Sequence, residues 1–150
     1  MSATGLDVFD RTLQTTNTWL GEIMERLGPD RQVAWHALGA VLHALRDRLT
    51  IGLAVHLGAQ LPLLVRGLYY DRWVPTEQTL KERRGEQFLT HVSAGLTGIR
   101  PVNVQEATRA VFRVLDHHIA PDQAENVRNA LPEEVRLLWQ RTPGARTRAA

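Results

Sequence analysis

The 150-residue chain has no cysteine, one lysine (Lys81), two serines, and no apolar run approaching the ~18 residues that a membrane-spanning helix requires. Each shortage removes a class of function. Without cysteine there is no disulfide, no thiolate metal centre and no thiol nucleophile. Ser2 stands at the N-terminus, and Ser93 falls in a helical pattern without the elbow that presents a hydrolase nucleophile. The glycines are scattered and form no phosphate-binding loop. Arginine supplies nearly all the positive charge, yet the formal net charge is only +2. Without the tail arginines Arg141, Arg146 and Arg148 the remainder is not basic, so no concentrated cationic face points to nucleic acid. The opening residues MSATGLDVFD have neither a basic n-region nor an apolar h-region, and a soluble cytoplasmic protein is expected.

What the chain does contain is an internal echo. Leu61-Pro62 and Leu131-Pro132 close similar apolar patterns, and an offset of about 70 positions matches Ala37 to Ala107, Val41 to Val111, Leu42 to Phe112, Leu45 to Leu115, Val65 to Val135 and Tyr69 to Trp139. Earlier in each copy Trp19, Leu20, Ile23 and Leu27 match Phe88, Leu89, Val92 and Leu96 at an offset one shorter, which an extra residue in the loop 97–102 explains. The apolar spacing is helical throughout. The fold expected is therefore all-α, with about eight helices in two pseudo-repeated four-helix halves at 6–72 and 85–140. A polar linker (73–84) joins them, a disordered tail (141–150) follows, and the halves share one core.

Helix ends are written locally. The first helix runs from Asp7 to Leu27 with Phe9, Leu13, Leu20, Ile23, Met24 and Leu27 inward, and Gly28-Pro29-Asp30 stops it. Asp30 and Thr50 are expected N-caps of the second and third helices, and Asn103 with Glu106 resembles a capping box. Each Leu-Pro is a corner, with proline as the first residue of a new helix; the last such helix is expected from Pro132 to Gln140.

Residues with potential chemistry have plain structural readings. His36 and His43 are seven apart, whereas helical metal pairs sit three or four apart, and His43 is spaced to meet Asp47. His117-His118 falls near a helix end, where partial positive charge suits the dipole. Glu22 is four residues from Arg26, the spacing of a solvated ion pair. No metal site, cofactor or catalytic set is expected. Tyr69 reads as core, leaving Tyr70 and Trp73, with His43, as a possible ligand-binding group for an apolar or planar molecule.

The segments AVLHALRDRLT, LGAQLPLLVRGLYYDRW, AVFRVLDHHI and VRNALPEEVRLLW, in that order, resemble the bacterial family catalogued as domain of unknown function 2267. The resemblance spans roughly Phe9 to Trp139. It implies an all-helical protein of two related halves, and no activity, cofactor or catalytic residue comes with it.

The sharpest functional signal is an asymmetry between copies. Leu53, Val55, Leu63 and Leu64 stand where the second copy has Gln123, Glu125, Glu133 and Glu134. If exposed, these four form an apolar contact surface whose burial is worth roughly 6–12 kcal/mol before association costs. If the first copy lies centrally, they are core. The function expected is a non-enzymatic interaction or regulatory module that binds a protein partner or forms a homo-oligomer. Ligand binding near Tyr70, Trp73 and His43 is the second reading, and weak nucleic-acid binding through the arginine-rich tail the third.

Overall fold

Residues 2–139 are described by a computed structural model. Eight α-helices follow in chain order: α1 (Asp7–Leu27), α2 (Arg31–Arg48), α3 (Ile51–Ala59), α4 (Leu63–Tyr70), α5 (Gly85–Ala94), α6 (Val104–His118), α7 (Pro121–Ala130) and α8 (Glu133–Arg136). Among the described residues there is no strand, and a 3-10 turn at Pro75–Glu77 is the other regular element. The tail expected at 141–150 lies outside the described residues.

The caps form as their residue types require. Asp30 accepts from the amides of Gln32 and Val33 at 3.0 and 3.2 Å, and Thr50 Oγ1 from that of Leu53 at 3.3 Å. Gly28 exits α1 at φ +102°, where a side chain would be strained. Asn103 accepts from the Glu106 amide at 2.9 Å, but Glu106 sends its own carboxylate to Arg26 and Arg109 rather than completing the box. Pro62 and Pro132 sit one position earlier than expected, as N-cap residues with ψ of 153° and 155°. Their carbonyls still accept the first helical bonds, from Arg66 and Arg136. The last helix is shorter than expected. After Arg136 the chain tightens into three-residue bonds, Leu138 to Val135 and Trp139 to Arg136, which turn both side chains into the core.

Packing centres on α2 and α6. These two cross each other, α1 lies against both, and α5 also lies against both. The buried side chains accordingly make one cluster, in which Trp19, Ile23, Leu38, Leu42 and Leu45 join Phe88, Val92, Phe112, Leu115 and Trp139. Full burial of such a side chain is worth about 1.5–3 kcal/mol, so the cluster dominates stability. At Gly95 a Cβ would lie 2.7 Å from that of Ala40, so the missing side chain lets the end of α5 close on α2.

Residues 73–84 are tied to the C-terminal end of α2. Gln78 donates to the carbonyls of Arg46 and Leu49 at 2.7 and 2.6 Å, Thr79 N donates to that of Asp47 at 2.7 Å, and Arg48 Nε donates to that of Glu82 at 2.6 Å. The strap supplies donors to carbonyls at the end of the helix, where the intrahelical ladder runs out. Buried Arg46 performs the same service for α4, with Nη1 donating to the carbonyls of Tyr69 (2.8 Å) and Asp71 (3.0 Å) while Nε meets Asp47.

One expectation for α1 fails. The apolar spacing puts Phe9 and Leu13 on the inward stripe, yet they are 49% and 43% exposed, and Trp19 is the residue that fills the core. At 100° per residue Phe9 and Leu13 continue the stripe of Thr16 and Leu20. The helix outruns the partners available to cover that stripe.

Candidate functional site

Two regions stand out from this frame: an uncovered apolar face and a cluster of ligating side chains. The face begins on α4, whose first turn presents Leu63 (52% exposed) and Leu64 (39%). Val55 on α3 is 47% exposed, and Leu53 is half-buried against the core. The alternative that all four residues are core is therefore overturned. α4 packs on both α3 and α1, and Leu64 N donates to Thr12 Oγ1 at 2.9 Å, which sets the overhang of α1 beside the leucines. Seventy positions later in the sequence, Glu133 and Glu134 are also exposed. Glu134 accepts from the Gly85 amide at 3.2 Å, placing negative charge at the start of α5 where the helix dipole favours it. Leu63 and Leu64 thus stand at solvent-facing positions with no comparable local task.

The second region lies where α1 crosses the end of α6. His117 Nδ1 is 2.8 Å from Glu22 Oε1, and His118 Nε2 is 2.5 Å from Glu22 Oε2. The carboxylate is bracketed by two imidazoles whose ring centroids are 4.3 Å apart. Burial pushes the Glu22 carboxyl up, but the two hydrogen bonds and the charge of the rings outweigh it and hold the group below its ordinary value. Trp19, one turn before Glu22 and 1% exposed, stacks on His118 at 5.3 Å and 20°. Its indole N–H is buried without a hydrogen-bond partner among the described residues.

This arrangement corrects the local pairings read from spacing. Glu22 does not pair with Arg26, which reaches Glu106 at 3.7 Å. The two histidines do stand in the last turn of α6, but their rings bond to Glu22. His43 does not meet Asp47: its Nε2 lies 2.7 Å from the Leu68 carbonyl. His36 bonds its own helix at the Gln32 carbonyl.

The proposed ligand-binding group has its polar ends engaged within the chain. Tyr70 stacks on Trp73 at 5.6 Å and donates to the Val55 carbonyl at 3.3 Å, and Trp73 Nε1 donates to Gln78 at 2.9 Å. Tyr69 is core, as its match to Trp139 predicts: its hydroxyl donates to the Ala54 carbonyl at 2.6 Å, and burial pushes the phenol up far beyond its ordinary value.

Residues 16–138 match the family described as "Uncharacterized conserved protein (DUF2267)". The chain belongs to this family. No curated protein matches the chain. The DUF2267 match begins at Thr16, so the overhanging turns of α1 with Phe9 and Leu13 precede the family region, while both Leu-Pro corners and the Glu22, His117 and His118 cluster lie within it.

Proposed function

We propose that the chain consists of two related four-helix halves fused around one core, and that it is a self-associating interaction module. Its contact face is formed by Leu63 and Leu64 of α4, Val55 of α3 and the overhang of α1. The reading of halves is supported by matched burial: Val41 with Val111, Leu45 with Leu115, Leu61 with Leu131 and Tyr69 with Trp139 are all inside. It is also supported by the backbone at the matched helix ends, where Leu49 and Ile119 share φ −87° with ψ of 159° and 158°. The observation that carries the functional reading is the exposure of Val55, Leu63 and Leu64 where the second half has acids.

The occupant is a second copy of this chain. Phe9, Leu13, Val55, Leu63 and Leu64 are 39–52% exposed and together offer roughly 450 Å², about the apolar share of a standard interface of ~800 Å² per partner. One face therefore meets the requirement of a stable twofold dimer, in which each α1 overhang lies across the partner's α4. Sedimentation equilibrium of the full chain over a wide concentration range tests this. The mass should rise from 16.9 kDa to twice that value. A mass fixed at the single-chain value across the range refutes it.

A further inference from the structure

We propose that Glu22, His117 and His118 form a binding site for a divalent transition metal, zinc being the ion that the donor set suits best. Each of the three residues offers one ligand atom within 4.8 Å of the other two, and His117 Nδ1 and His118 Nε2 are the nitrogens that face the carboxylate. Two imidazoles and a carboxylate match the ligands of open zinc sites, which use three protein donors and leave a fourth position for water. Calcium and magnesium prefer all-oxygen shells, and the absence of thiolate does not count against an N,N,O set.

The placement is specific in a way that a chance surface ion pair is not. Adjacent residues on a helix point about 100° apart, so neighbouring histidines converge only on a group that arrives between them. The crossing of α1 over α6 delivers Glu22 to that point. Stacking on buried Trp19 holds the His118 ring, the kind of support that orients metal ligands. His118 and Glu22 are about one-quarter exposed at the side chain, whereas His117 is 61% exposed, leaving a path for the ion and for water. Zinc bonds of ~2.0–2.2 Å in tetrahedral geometry separate donors by roughly 3.3–3.5 Å, so the carboxylate must withdraw by less than about 1 Å from its present contacts while the two rings turn to bring their nitrogens to that spacing. The flexible glutamate stem allows this.

The other half supplies an internal contrast. At offsets of 69 and 70, Glu22, His117 and His118 correspond to His91, Asp47 and Arg48. Arg48 puts a permanent cation where the cluster has a ligand, and His91 turns to Glu82 at 2.8 Å. His118→Arg copies that solution, retaining a cation for Glu22 while removing a donor atom.

The test is calorimetric titration of zinc chloride into the chelator-stripped full-length chain. Saturable binding of one zinc per chain is expected, weakened by at least about tenfold in both His118→Arg and Glu22→Gln. In the unmodified protein, zinc should shift the imidazole ¹⁵N resonances of His117 Nδ1 and His118 Nε2 and leave those of His36, His43, His56 and His91 in place. No saturable binding, equal binding by both variants, or zinc-induced shifts at the other histidines instead would overturn the site and leave an ion-pair cluster only.

Discussion

The double substitution Leu63→Glu/Leu64→Glu installs the residues that stand 70 positions later, Glu133 and Glu134. Both leucines lie in the first turn of α4 and are 52% and 39% exposed, so each has roughly 80–100 Å² left to bury in a dimer. At about 25 cal/mol per Å², two leucines on each of two protomers contribute on the order of 8–10 kcal/mol gross, of which less than half survives ordering costs and incomplete contact. A net loss of about 4 kcal/mol weakens dimerisation by roughly a thousandfold. The fold should respond differently. Acids in the first turn interact favourably with the helix dipole and offset the partial loss of leucine packing, so unfolding free energy should change by less than about 1.5 kcal/mol. Sedimentation equilibrium reads the first quantity and urea denaturation of the monomer the second. Unchanged self-affinity would show that the leucines are not at the contact, and a stability loss above about 3 kcal/mol would show that they act as core.

Arg46→Met removes the guanidinium bonds to Tyr69 and Asp71 and leaves a buried carbonyl unpaired, so urea unfolding should show a loss of about 3–5 kcal/mol. Gly58→Ala would place a Cβ 2.2 Å from the Tyr70 hydroxyl. The ring must then leave its stack on Trp73, costing about 1–3 kcal/mol and altering tryptophan fluorescence, and unchanged stability and emission would contradict that packing. Glu22 has a folded pKa below its ordinary 4.5, so its contribution to stability is complete above that value and is lost as pH falls through the folded pKa. Acid unfolding followed in the presence of chelator should show a shallower fall in Glu22→Gln than in the unmodified protein.

Much of the helical layout was legible because helix ends are decided by neighbouring residues. Asp30, Thr50 and Gly28 act within three or four positions of themselves, and a sequence displays such distances directly. The overhang of α1 was not legible. Helical periodicity says which side of Phe9 and Leu13 is apolar, but the extent of that side which finds cover depends on where α4 and α6 end in space. The same limit misassigned Glu22: spacing offers Arg26 four residues on, while the partners that win are 95 and 96 residues away. The one hint was the His117-His118 doublet, two adjacent donor side chains at a helix end, which marks where a carboxylate could be held without saying which one arrives. For Leu53, Val55, Leu63 and Leu64 the contrast with Gln123, Glu125, Glu133 and Glu134 singled out the positions, but exposure followed only from tertiary packing, which separated half-buried Leu53 from the other three.

The reciprocal seating of α1 on α6 and α5 on α2 has a consequence for the nascent polypeptide. While the ribosome is still adding residues before α6, α1 can settle on α2 and α4, but the side of α1 that α6 covers stays wet. Completion of the shared core must wait for α5 and α6 to emerge, because long-range closures are made before the contacts that reward them. The α6-facing part of the core is thus the last to be shielded as the chain is made.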